Sequence, residues 1–158
     1  VKYIEGYELA TSLMHELSPF CKRISIAGSI RRRKAEVGDI ELVAIPTWKL
    51  EDWRLRCHYR FEKKGNKYWQ FYYCNETVDL FLCTEGTWAM NYLIRTGSAE
   101  WIHQFMIDIQ KVGYCSIDSR LCRIGKDCDV PEPVTGIKEE LDIFKLLNMP
   151  WVSPENRK

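Results

Sequence analysis

Two short apolar runs, DIELVAIP at residues 39–46 and VDLFLC at 78–83, each carry acids near their start, and this pairing constrains the chain most. Both runs are rich in β-branched and aliphatic residues, so each reads as a strand entering a core. Side chains on a strand alternate faces, so Asp39 and Glu41 project from one side while Ile40 and Leu42 point to the other. Asp79 is a third acid, set among Val78, Leu80 and Leu82. Acids at the mouths of such strands are hard to explain as packing. Like charges held close cost free energy unless protons or a cation neutralise them, and hard oxygen ligands suit magnesium, with manganese as the alternative.

The surrounding pattern predicts an α+β protein with a mixed or antiparallel sheet flanked by helices. Ile4, Tyr7, Ala10, Leu13, Met14 and Leu17 recur at helical spacing, and Pro19 follows, so a helix ends near Ser18. Residues 23–27 form a short strand and 39–45 a second. A hairpin is expected in CHYRFE, the turn KKGNK and KYWQFYYC, before the third partner strand VDLFLC. Beyond Glu85 the pattern turns helical, around 88–94 and then through Trp101, Ile102, Phe105 and Ile109. A hairpin over 114–124, a proline-punctuated loop over 127–135 and a last helix over 137–147 complete a small C-terminal α+β lobe. The expected division is a sheet-bearing part at 1–86 and a second lobe at 87–158.

The chain has 158 residues, 46% of them hydrophobic, enough for one well-buried core. Its net charge of +1 gives no global basic field, so affinity for a polyanion must come from local patches. Seven cysteines, without a CxxC pair, read as reduced thiols in a cytoplasmic protein. No run is long and apolar enough to predict a membrane span or a signal peptide.

GSIRRR, just upstream of the acids, completes a constellation. Backbone N–H groups at a helix start, a hydroxyl and arginines make a seat for a polyphosphate. Gly28 permits close approach, Ser29 donates its hydroxyl, Arg32 reaches the terminal phosphates and Gly38 offers a further N–H. An anion cradle beside metal-binding acids is what two-metal phosphoryl transfer requires. The hairpin RFEKKGNKYWQFYY interleaves Lys63, Lys64 and Lys67 with aromatics, a pattern open both to nucleic-acid contact and to an ordinary basic-tipped hairpin.

GSIRRRKAEVGDIELVAIP resembles the G-S-x-x-R signature and D-x-D/E strand of family X DNA polymerases and the wider polymerase beta-like nucleotidyltransferases. VDLFLC is similar to the strand bearing their third acid, IRTGSAEW to their aromatic-aromatic-T-G-S segment, and LDIFKLLNMPWVSPENRK to their C-terminal tail. The resemblance implies a nucleotidyltransferase palm and a thumb-like lobe, without the N-terminal lyase and helix-hairpin-helix modules, since 27 residues precede Gly28. It implies that Asp39, Glu41 and Asp79 hold two magnesium ions, and that Thr96, Gly97 and Ser98 line the nucleotide site. The implied activity is transfer from a (deoxy)nucleoside triphosphate to a 3′-hydroxyl of a DNA primer or primer-template, releasing pyrophosphate. Ile94 and Arg95 stand where the family has paired aromatics, and Ile102 where it has a base-contacting asparagine, so weak sugar and base readout is expected. His103 is a candidate stacking residue. The alternatives are a template-independent transferase acting on RNA, protein or a small molecule, and a non-catalytic nucleotide- or nucleic-acid-binding module.

Overall fold

Helix α1 (Tyr3–Leu17) is stopped by the proline that opens a 3-10 turn at Ser18–Phe20, because a prolyl ring cannot continue the ladder of hydrogen bonds. Its buried stripe is Gly6, Ala10, Leu13 and Leu17. The expected stripe is rotated at its start: Ile4 and Tyr7 face outward, and Gly6 lies against Val37 instead. The structure is a computed structural model that describes residues 1–125 and 130–158. Cys128 and part of the expected loop at 127–135 lie outside the described residues.

The sheet is mixed and flanked by helices, and its order follows from one crossover. Strand β1 (Cys21–Ile26) pairs antiparallel with β2 (Ile40–Pro46) across the turn that holds helix α2 (Gly28–Arg31). From β2 the chain passes through helix α3 (Lys49–Arg56), edge strand β3 (Phe61–Lys64) and β4 (Tyr68–Tyr73) before β5 (Glu76–Leu82) returns beside β2, parallel to it. The order is β1-β2-β5-β4-β3. Sequence periodicity misses α3 because only Leu50 and Trp53 are buried on it; Glu51–Arg54 and Asp52–Arg56 pairs line its outer side. The first arm of the expected hairpin shortens to Phe61–Lys64, leaving Cys57–Arg60 as connecting chain.

Alternation gives the sheet two different faces. Ile40, Leu42, Ala44, Trp69, Phe71, Val78 and Leu80 pack with α1 and α3 in the largest core cluster. On the opposite face Val43, Ile45 and Phe81 pack with Trp88 of helix α4 (Trp88–Thr96).

A third cluster joins α4 to helix α5 (Ala99–Lys111) and helix α6 (Glu140–Leu146) through Leu93, Phe105, Ile109, Ile143 and Phe144. Strands β6 (Tyr114–Ile117) and β7 (Arg120–Arg123) form the expected hairpin on a two-residue turn, with Asp118 and Ser119 both at positive φ. Part of the expected loop is instead a third strand, β8 (Glu132–Pro133), paired with β7. Helix α6 begins three residues later than expected, because Glu139 and Asp142 form a reciprocal capping box there. Among the described residues no helix is long and apolar enough to cross a membrane, and the six cysteines are free thiols.

Charged side chains tie the sheet to the C-terminal helices. Arg23 donates two hydrogen bonds to Glu139, at 2.8 and 2.7 Å. Deeper in, Glu140 is 4% exposed and accepts from Arg31 at 2.6 and 2.7 Å and from the fully buried Arg157 at 2.8 Å. Burial alone would raise the Glu140 pKa, but the two guanidiniums hold it below the ordinary value.

Candidate active site

One polar row crosses the sheet. Glu41 on β2 stands opposite Asp79 on β5, Asp79 opposite Gln70 on β4, and Gln70 opposite Lys63 on β3. Directly opposed residues point to the same face, so two of the three expected acids sit side by side on the face that carries Phe81 and α4. Asp39 lies one residue before β2 begins, near enough to Asp79 for that carboxylate to raise its pKa. The register, rather than the alternation within one strand, brings these carboxylates together.

Burial and mutual repulsion act together on two of them. Burial, together with the charges of Asp79 and Asp39, pushes the Glu41 carboxyl up to about 7, although Arg32 and Arg95 act in the opposite direction. Asp39 is also raised, first by burial and then by Asp79. Asp79 is fixed from the side: its Oδ1 accepts hydrogen bonds from the Tyr68 hydroxyl and, at 3.0 Å, from Gln70 Nε2. Tyr68 in turn stacks on Phe81, with ring centroids 5.1 Å apart. The period-2 spacing of YWQFYY puts Tyr68 and Gln70 on one face, but only the β4–β5 register shows which acid they meet.

The glycine-serine turn packs directly against the acids. Gly28 is at φ +61°, and a Cβ there would fall 1.7 Å from Glu41 Oε2. Glycine is thus required to admit the Glu41 carboxylate and the left-handed backbone. The Ser29 side chain is partly exposed. Gly38 is exposed, with open space where a Cβ would stand. Arg32 donates from Nη1 to the Thr96 carbonyl, and its buried Nε has no hydrogen-bond partner among the described residues.

Thr96 and Ser98 use their hydroxyls within the protein. Thr96 Oγ1 accepts from Arg31 at 2.7 Å, and Ser98 Oγ caps α5 by accepting from the Trp101 N–H at 3.2 Å. Gly97, at φ +72°, leaves room for the Arg32 guanidinium, which a Cβ would approach to 2.9 Å. The T-G-S segment and the arginine turn are therefore one packed unit next to Glu41.

Arg95 faces this site from the end of α4. Its guanidinium carbon lies 4.0 Å from the Phe81 ring centroid, and no carboxylate among the described residues pairs with it. Loss of hydration lowers its pKa, opposed by Glu41, Tyr68 and Asp79. Lys63 extends the polar row to the sheet edge, 5.4 Å from the Tyr68 ring centroid. Lys64 is exposed on β3 and Lys67 in the turn before β4, whereas His103 is exposed on α5. Trp69 and Phe71 of the same hairpin are buried in the core and are not free to stack on bases.

Among the described residues no three His, Cys, Asp or Glu side chains form a ready-made metal cage. The donor set nevertheless suits a divalent cation: two acids in register, a third just before β2, and raised pKa values at Asp39 and Glu41 that an added positive charge would relieve. No family model and no curated protein matches this chain, so any function has to be argued from the row itself.

Proposed function

We propose that the chain is a divalent-cation-dependent nucleotidyltransferase with a polymerase beta-like palm and a thumb-like C-terminal lobe, acting on a 3′-hydroxyl of DNA. The observation that carries this reading is the register that sets Glu41 beside Asp79, with Asp39 adjacent and the Gly28–Arg32 turn packed against Glu41. The resemblance of GSIRRR, DIELVAIP, VDLFLC and IRTGSAEW to family X polymerases supplies the reaction class.

In this reading Asp39, Glu41 and Asp79 hold magnesium, two ions by the resemblance, whose chemistry is to acidify an acceptor hydroxyl and neutralise charge on a triphosphate. Tyr68 and Gln70 keep Asp79 turned toward the site by occupying one of its oxygens. Arg32, with an unpaired buried Nε, and Arg95, unpaired and stacked on Phe81, supply positive charge where a polyphosphate would lie. Arg95 replaces an aromatic of the resembled family, and a guanidinium there can donate to a sugar oxygen or a phosphate that an aromatic ring could not bind.

Incorporation of labelled nucleotides across an acceptor panel tests this: DNA primer, primer-template, RNA and no acceptor, each with deoxy- and ribonucleotides. The expected result is extension of DNA with magnesium, with little discrimination between the sugars. Extension of RNA alone, or product without a nucleic-acid acceptor, would transfer the proposal to the template-independent alternative. Tight nucleotide binding with no turnover in magnesium or manganese would support a non-catalytic module.

A further inference from the structure

A second surface, at the opposite end of β2 from the acids, has the chemistry of a strand-binding groove. Seven residues of β2 separate Asp39 from Thr47, so the two regions lie roughly 26 Å apart along the sheet. Two depressions meet there, of about 310 and 830 Å³, and share Pro46, Asn66 and Leu82 in their walls. Trp48 is on the rim of the smaller one and is 80% exposed. Lone exposed aliphatic residues are ordinary, but an indole this open is a large apolar area left in water.

The charges around it are uneven. Lys64 borders the smaller depression, and Lys67 and Arg120 border the larger. All three are exposed and none joins a carboxylate in an ion pair among the described residues. Of the acids in the walls, Glu51 is engaged by Arg54, which leaves Asp118. Lys49 lies 5.8 Å from the Trp48 ring centroid, adding a cation beside the indole. Asn91 Oδ1, on the wall of the larger depression, is buried without a hydrogen-bond partner among the described residues.

We infer that this groove binds single-stranded nucleic acid, with a base stacked on Trp48 and phosphates on Lys64, Lys67 and Arg120. A free indole next to unpaired cations calls for a ligand that offers both flat rings and regularly spaced anions. An acidic peptide would use the cations and leave the ring idle, and a duplex keeps its base faces stacked and out of reach. The inference does not depend on the acids being catalytic, because strand binding here needs neither nucleotide nor divalent ion.

Fluorescence anisotropy with labelled 15-nucleotide dT and rU oligomers, in EDTA and over a series of salt concentrations, tests it. Trp48→Ala should weaken binding at least about fivefold, the effect of losing one stacked base. Lys64→Ala combined with Lys67→Ala should lower the slope of log affinity against log salt by about 1.4, from two lost phosphate contacts. Binding that persists in EDTA separates this surface from a cation-loaded acid row. Whichever oligomer binds more tightly, with Trp48 required, identifies the strand. Binding indifferent to Trp48→Ala, or an equally Trp48-dependent affinity for a blunt duplex, would overturn the inference.

Discussion

At the scale of single residues, the site turns on what surrounds Glu41 and Asp79. Gly28 is the clearest example, since its missing side chain makes room for the Glu41 carboxylate. Gly28→Ala must accommodate both that clash and a left-handed backbone that alone costs ~1–2 kcal/mol. The variant should therefore melt several degrees lower and bind magnesium more weakly, as differential scanning fluorimetry with and without the ion will show. Tyr68→Phe and Gln70→Leu each remove one hydrogen bond to Asp79 while leaving the carboxylate in place. Losses of roughly 10–100-fold in activity or metal affinity are expected, with little change in thermal midpoint. The acids were legible in the sequence because charged residues inside apolar strands are rare. Their partners were not, because a tyrosine and a glutamine in an aromatic strand look like its polar face until the register is known.

At the scale of elements, the β2–β5 parallel pairing is what makes one site from two separated segments. Alternation within DIELVAIP correctly separates Ile40 and Leu42 from Glu41, yet it says nothing about which strand lies alongside. Helix α3 is hard to read from sequence for a related reason: with only Leu50 and Trp53 buried, its apolar period is too brief to register. The arginine turn divides its charges: Arg31 is drawn into Glu140 and Thr96, which fastens α2 to α4 and α6, while Arg32 lies beside the T-G-S segment next to Glu41. Glu140→Ala would strand the buried Arg157 without its carboxylate, and a loss of about 3–5 kcal/mol is expected in urea unfolding. Glu139→Ala, which loses a surface pair with Arg23 and a cap of α6 but strands no buried charge, should cost less, about 1–2 kcal/mol.

At the scale of the whole molecule, the acid row links stability to pH and to divalent ions. Glu41 and Asp39 both have folded-state pKa values above their ordinary ones, so the folded protein holds protons that the unfolded chain releases. Their contribution therefore falls as pH rises from about 4.5 through about 7 for Glu41. Without divalent ions, the thermal midpoint of the unaltered protein should decline relative to Glu41→Gln between pH 5 and pH 8. Magnesium should restore it at pH 8 and do little at pH 5, where protons already neutralise the row. A magnesium effect independent of pH and of Glu41 would mean that the ion binds elsewhere. The α+β class and the carboxylates could be read from residue pattern, whereas the mixed sheet order and the ion pairs between the sheet and the C-terminal helices depend on contacts between residues far apart in sequence.

The most direct measurement is pyrophosphate release from a deoxynucleoside triphosphate in magnesium with a DNA primer, comparing the unaltered chain with Asp79→Asn. Primer-dependent release that falls by more than about 100-fold in the variant, beyond the loss typical of a supporting hydrogen bond, is the predicted result. Equal release by both proteins would contradict a metal-holding role for Asp79, and with it the account of the polar row as an active site.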